Sequence, residues 1–461
     1  MLPRFFQLER HQTTVARELQ AGLTTFAAMA YILVVNPNIL INALALDPAI
    51  GSNASAPAYL AAHGALVTVT ALTAAIATAL MAFLTNYPIA LAPGMGINAF
   101  FTFSICMGKG VPWPEALGMV FVNGVIFLVL SVTGVREKII AAIPTPLKIA
   151  VTCGIGMFIA FIGLKNGGVI VANPATYVGP GDFTSGPVLL CLAGIALTAI
   201  LVARRTPAAI VVGMALITLA GLFMPDGKGG TVTAHPAAFL SLPASPGPVF
   251  LKLSFHFLTS SPAFFTALPL ILTLLLVDMF DNIGTLIGVT KRAGLLQADG
   301  TLPRAGRALL ADSIATILSA LFGTSTVVSY IESASGVAAG GRTGLTSLTT
   351  ATLMVLALFL TPLILIVPAA ATAPALVIVG VFMMQSVVEI PMEEFATAAP
   401  AVLTIFAIPL TFSIAQGIGL GLILAAFLAL AMGKPRSFTP VGYVVAAVFF
   451  LEFFKIWPFR G

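Results

Sequence analysis

The chain is a succession of apolar runs, most about 20 residues long, separated by short polar turns. Fourteen can be marked: 19–43, 65–84, 87–108, 115–134, 142–164, 187–203, 207–224, 265–289, 308–322, 324–341, 345–368, 373–388, 395–412 and 417–432. A run of about 20 apolar residues matches the thickness of a bilayer's hydrocarbon core. Only 8% of the 461 residues are charged and 59% are hydrophobic, whereas soluble domains are about 25% charged. The sequence therefore predicts an all-α polytopic membrane protein with fourteen spans. The net charge of +5 comes from basic residues scattered through the turns, a pattern that sets orientation in a membrane and excludes a nucleic-acid-binding surface.

With a cytoplasmic N-terminus and fourteen crossings, only Lys109, Lys165, Lys228 and Lys252 fall outside. The other basic residues fall inside, among them Arg17, Arg136, Lys138, Arg304, Arg342, Arg436 and Arg460. That asymmetry supports the count and a multi-pass location in the cell membrane. The opening stretch MLPRFFQLERHQTTVAREL has no apolar core followed by a cleavage site, so no cleaved signal peptide is expected. The C-terminal stretch 439–457, with Glu452, Lys455 and Trp457 near one end, reads as a helix lying at the interface rather than a further span.

The longest loop, 225–264, separates two sets of seven spans. Seven is odd, so the second set is inserted upside down relative to the first, an inverted repeat of the kind transporters use. The third span of each set is interrupted. Span 3 carries Pro88 and Pro93, which forbid a regular helix, and then Gly94 and Gly96. Span 10 opens with the β-branched and polar run Thr324–Tyr330, which favours extended chain, and continues as small-residue helix. Each is expected to be a short β-strand plus a half-helix. The two strands can pair and satisfy their backbone groups, bringing two helix N-termini together near the midplane.

The spans also carry acids. Asp278 and Asp281 lie three residues apart on span 8, with Asn282 and Thr285 on the same stripe. A carboxylate at the bilayer centre costs about 3 kcal/mol. Span 10 carries Glu332 beside Ser329, span 9 carries Asp312, span 3 carries Asn98 and span 1 carries Thr25. Intramembrane acids are proton-relay or ligand candidates. An inorganic anion would be repelled by ionised acids, whereas a flat neutral heterocycle offers N–H groups to carboxylates and ring acceptors to Asn98 and backbone N–H. Phe100, Phe101 and Phe280 offer faces for stacking. The candidate substrate-binding set is Asp278, Glu332, Asn98, Asp281, Thr25, Phe100 and Ser329, and the candidate proton-coupling set is Glu332, Asp278 and Asp312. His11, His63, His235 and His256 are expected in loops and form no HxxxH or HExxH pair, so no metal site or cofactor is implied. Cys106, Cys153 and Cys191 sit in apolar runs and read as buried, unreactive residues. An intramembrane aspartyl protease takes one acid from each of two spans, while Asp278 and Asp281 share one helix. The expectation is a carrier, not an enzyme.

Four motifs, TTFAAMAYILVVNP (24–37), APGMGINAFF (92–101), VDMFDNIGTLIGV (277–289) and GTSTVVSYIESASGVAAGGRTGL (323–345), resemble the AzgA-like branch of the nucleobase–cation symporter 2 superfamily. The resemblance covers nearly the whole chain and implies proton-driven uptake of purine nucleobases: hypoxanthine and guanine, or adenine. It implies a seven-plus-seven fold in which a core domain, 1–135 with 265–370, shifts against a gate domain, 136–264 with 371–461. A homodimer through the gate domain is the expected assembly. By motif, the family's span-8 and span-10 acids fall on Asp278 and Glu332, and its span-3 asparagine on Asn98. Asp281 is the second span-8 acid. A Thr commonly follows it in the family, where this chain has Asn282. An anion transporter of the same fold is the alternative.

Overall fold

A computed structural model describes residues 2–133, 144–227, 229–236, 238–259, 261–295, 302–435 and 438–456. Arg136, Lys138, Lys228, Arg436, Trp457 and Arg460, which entered the charge and C-terminal arguments, lie outside these residues. Ten helices among the described residues are long and apolar enough to cross a membrane, and they correspond to spans 1, 2, 4, 5, 6, 8, 9, 11, 12 and 14. Spans 3, 7 and 13 form the shorter apolar helices Met95–Gly108, Ala209–Gly221 and Phe395–Thr411. Span 10 contains only a strand and the six-residue helix Ser333–Ala338.

Span 1 is two helices, Val15–Met29 and Ile32–Leu44, joined through Ala30 and Tyr31. Pro37 inside the second helix removes the bond that the carbonyl of Leu33 would receive, which loosens the turn just after the junction. The span-2 helix runs Pro57–Thr85, with Pro57 at its first position, where a missing N–H costs nothing. This corrects the expectation for His63. It lies on that helix rather than in a loop, and its Nε2 is 2.8 Å from Asn38 Oδ1.

The interrupted spans form the expected pair. Strand β1 (Leu91–Pro93) of span 3 and a second short strand (Val327–Ser329) of span 10 run antiparallel, with Leu91 opposite Ser329 and Pro93 opposite Val327. Pro93 has no N–H to donate, and the ladder is closed around it by Gly94 N–H to Thr326 O and Tyr330 N–H to Ala90 O, both 2.9 Å. The remaining backbone groups are met by side chains. Thr78 bonds both the N–H and the carbonyl of Leu91. Ser333 receives the Ala90 N–H, Ser347 donates to the carbonyls of Tyr87 and Ile89, and Tyr330 Oη donates to Pro93 O at 2.6 Å. Extended chain persists here because these protein groups supply bonds that lipid cannot. After β1, the chain winds as the helix Met95–Ala99 and then in wide π-turns from Phe100 to Gly108.

Helix packing is reciprocal. Span 4 packs on span 9 and span 11 on span 2, span 5 on span 13 and span 12 on span 6, span 7 on span 12 and span 14 on span 5. Spans 5 and 12 approach closely: a Cβ on Gly156 would lie 2.8 Å from Gly380 O and 2.6 Å from Met383 Cβ. Between spans 5 and 6 a hairpin of two four-residue strands, Ile170–Asn173 and Tyr177–Pro180, was not anticipated. Its signal is the β-branched run VIVAN, then Pro174, then TYVGP.

The loop after span 7 folds back over the bundle as a strap. Ser241 N–H bonds Phe359 O, Thr68 Oγ1 bonds Ala244 O, Leu251 N–H bonds Leu321 O, and Ser254 N–H bonds Pro114 O, at 2.8–3.1 Å. These partners belong to spans 11, 2, 9 and 4 or to their ends. The C-terminal helix Pro440–Phe453 runs antiparallel along span 14. The Phe427 and Phe450 rings are 6.1 Å apart, and Phe453 packs on Gly419. Its far end meets span 3 through an ion pair, Lys109 Nζ to Glu452 Oε1 at 3.2 Å. Its 14 residues make a rod of about 21 Å at 1.5 Å per residue, shorter than a full crossing.

Candidate functional site

The junction of the two strands carries a polar cluster drawn from spans 1, 3, 8 and 10. Glu332 immediately precedes the helix Ser333–Ala338 and is half-buried. Its Oε1 accepts from Tyr31 Oη, at the junction of the span-1 helices, at 2.6 Å. Asp281, also half-buried, lies within electrostatic reach of Glu332 and of Asp312. Tyr31 and Tyr330 each lie within reach of both Glu332 and Asp281. Two acids and two phenols thus share one neighbourhood, where fixed charges act more strongly than in water.

The other candidates divide. Asn98 is fully buried, and its Oδ1 accepts from Ser325 Oγ on the chain leading into the span-10 strand. Ser329 is buried on that strand. Asp278 is fully buried but is engaged elsewhere: its Oδ2 accepts from Asn123 Nδ2 of span 4 at 3.2 Å. The two span-8 acids therefore serve different neighbours, although they lie on the same stripe. Thr25 is directed at Gly336, where its Oγ1 fills the space a Cβ would need, so it sits in the seam between spans 1 and 10. Phe100 is fully buried where the π-turns begin. Phe280 lines a small apolar cleft with Leu147, Val151, Thr404, Ile418 and Leu422 of spans 5, 13 and 14. Asp312 is fully buried on span 9.

Two residues with buried polar contacts, Tyr31 and Glu18, were not singled out from the sequence, and Asn36 is a third polar anchor of span 1. Asn36, fully buried, donates to Thr70 at 2.7 Å and Thr324 at 3.1 Å, tying spans 1, 2 and 10. Glu18, also fully buried, takes bonds from Arg342 N–H, from the N–H and hydroxyl of Thr343, and from the N–H and hydroxyl of Thr346. It fastens span 1 to the N-terminal turn of span 11, where free N–H groups and the helix dipole favour an anion. The signal for Tyr31 was its place inside the motif AMAYILVVNP, ahead of Pro37.

A membrane-spanning bundle with buried acids where two broken spans meet has the architecture of a transporter. The chain belongs to the Permease family, whose profile matches residues 16–420. It is 45% identical over 452 residues to the guanine/hypoxanthine permease PbuG of Bacillus subtilis, covering 97% of this chain and 98% of that one. It is 40% identical to the adenine permease AdeP of Escherichia coli, covering 98% and 96%, and 42% identical to a putative permease of Methanocaldococcus jannaschii, covering 98% and 97%. Among solved structures, the transmembrane domain of the cyanobacterial bicarbonate transporter BicA superposes with a TM-score of 0.59 at 15% identity, covering 88% of this chain and 96% of that one. That likeness concerns the fold. The relatives are permeases, not enzymes.

Proposed function

We propose that this chain imports purine nucleobases by proton symport through alternating access. The observation that carries the reading is the convergence of Glu332 and Asp281, flanked by Tyr31 and Tyr330, on the paired strands of the interrupted spans. Carboxylates accept from purine N–H groups, and a donor from Asn98 or a backbone N–H meets a ring nitrogen. Relatives named as guanine/hypoxanthine and adenine permeases, matched end to end, support the same substrate class. The substrate set is Glu332, Asp281, Asn98, Ser329, Asp278, Thr25 and Phe100, with Asp278 and Thr25 acting from behind the first contacts. Two carboxylates in one partly buried space oppose each other's charge, so a proton taken up with the base relieves the repulsion and its loss inside favours release. Glu332, Asp278 and Asp312 are the proton-coupling set.

The domain reading goes with this mechanism. Spans 1–4 and 8–11 form the core, and spans 5–7 and 12–14 form the gate. The reciprocal packing of 4 on 9 with 11 on 2, and of 5 on 13 with 12 on 6, supports two inverted sets of seven, because exchanging each span for its counterpart in the other set (4 for 11, 9 for 2, 5 for 12, 13 for 6) turns one pair into the other. The cytoplasmic N-terminus is supported by the gathering of basic residues at one end. Arg304 bonds Thr85 O, Arg342 bonds Glu18, and Arg17 packs at Gly340. A homodimer would form through the gate.

The test is uptake of labelled hypoxanthine into proteoliposomes across a pH gradient, with unlabelled guanine, adenine, sulfate and bicarbonate as competitors. Purines compete and the inorganic anions do not; the reverse result overturns the reading in favour of an anion carrier. Glu332→Gln loses purine affinity and flattens the pH dependence of uptake.

A further inference from the structure

Tyr31 belongs to no strand or helix of its own. It sits where span 1 changes from Val15–Met29 to Ile32–Leu44, and only 1% of its surface is exposed. A buried phenol needs a partner for its hydroxyl. The hydroxyl reaches across to Glu332 Oε1 at 2.6 Å. That length is typical of a bond to a charged acceptor.

Glu332 has three rotatable bonds and sits on a turn between a strand and a six-residue helix. Its backbone carbonyl is held by the Ser335 hydroxyl at 2.6 Å, which fixes the turn but not the side chain. The hydroxyl of Tyr31 from span 1 contacts the carboxylate, Tyr330 from span 10 and Asp281 from span 8 lie within electrostatic reach of it, and Asp312 of span 9 lies within reach of Asp281. Among the described residues, Tyr31 is the side chain that donates a hydrogen bond to it.

We infer that Tyr31 is a positioning residue. Its hydroxyl holds one oxygen of Glu332, leaves the other to face Asp281 and the substrate, and so couples the break in span 1 to the break in span 10. This rests on the proposed role of Glu332. The phenol touches the acid and is not itself assigned to the base.

Three proteins, Tyr31→Phe, Glu332→Gln and the double variant, are purified with wild type. Hypoxanthine binding in detergent and uptake into proteoliposomes are followed across pH. Tyr31→Phe removes one oxygen and is expected to weaken hypoxanthine binding about tenfold, the scale of a lost bond to a charged group. It is also expected to displace the pH profile of uptake. The double variant matches Glu332→Gln alone, because a residue acting through another adds nothing once that other is gone. Should Tyr31→Phe fold poorly, 3,5-difluorotyrosine at position 31 strengthens the donor at nearly constant shape and displaces the profile in the opposite sense. Wild-type affinity and pH profile in Tyr31→Phe, or in the fluorinated protein, overturn the inference, as do effects of the two substitutions that multiply independently. A disabled Glu332→Gln beside a wild-type-like Tyr31→Phe removes Tyr31 alone. A wild-type-like Glu332→Gln removes the site reading, and Tyr31 with it.

Discussion

Single residues inside this bundle are decided by where their polar atoms find partners. Glu18 is the clearest case, a carboxylate fully withdrawn from solvent that receives five bonds from the start of span 11. Glu18→Ala leaves those donors facing an empty space, and each buried donor left unmet costs about 1–3 kcal/mol. The expected outcome is a markedly lower melting temperature in detergent and poor yield. Glu18→Gln keeps one acceptor oxygen but turns an NH2 group toward the Arg342 N–H, so its loss is intermediate. A Glu18→Ala protein as stable as wild type would remove the residue from this role. Glu18 was not legible in the sequence because it falls in an ordinary helical first turn, and its partners lie more than 300 residues away. Asp278 and Asp281 were legible as intramembrane acids from the apolar run that carries them. Which of them faces Glu332 was not, because a shared helical stripe spans enough arc for Asp278 to turn toward Asn123 while Asp281 turns toward span 10.

At the level of elements, prolines and glycines wrote the design most openly. Pro88 and Pro93 announced the break in span 3, and the run Thr324–Tyr330 announced its counterpart; their pairing is what backbone groups in lipid require. The hairpin between spans 5 and 6 was missed because strands of four residues vanish among apolar runs of 20. Helix starts were drawn late for span 2, since a hydropathy threshold passes over the polar first turns that include His63. The glycines of spans 5 and 12 carry an element-scale prediction. A valine at Gly156 must push against Gly380 O and Met383, and overpacking of this kind costs about 1–3 kcal/mol. Gly156→Val is expected to lower stability and slow uptake together. Gly306, whose added Cβ would meet nothing within 4 Å in the first turn of span 9, serves as the control: Gly306→Ala is expected to be neutral or slightly stabilising. Equal melting temperatures for Gly156→Val and wild type would contradict the close approach.

The whole molecule poses the question of what moves. The strap from Ser241 to Ser254 is bonded to spans 2, 4, 9 and 11 or to their ends, all within the proposed core. The turn before it is bonded to span 7 of the proposed gate, through Val232 N–H to Met224 O and Thr233 N–H to Gly221 O. If core and gate shift as bodies, the strap therefore travels with the core and the turn before it with the gate. Lys109 and Glu452 form the contrasting contact, since span 3 belongs to the proposed core while the C-terminal helix packs on span 14 of the gate. A cross-link within one body leaves transport intact, and a cross-link between bodies arrests it. In a background with Cys106, Cys153 and Cys191 replaced by Ala, the pair Thr68→Cys with Ala244→Cys bridges strap to span 2, where Thr68 Oγ1 and Ala244 O are 2.9 Å apart. The pair Lys109→Cys with Glu452→Cys, set where two long side chains meet tip to tip, is joined by a bifunctional methanethiosulfonate that spans the gap between span 3 and the C-terminal helix. After cross-linking, the first protein is expected to keep its hypoxanthine uptake. The second is expected to lose most of it and to recover with reductant, because the cross-link fixes one arrangement of core against gate. Full uptake in a completely cross-linked Lys109→Cys, Glu452→Cys protein would mean that span 3 and the C-terminal helix move as one, and the boundary between the moving bodies would have to be drawn elsewhere.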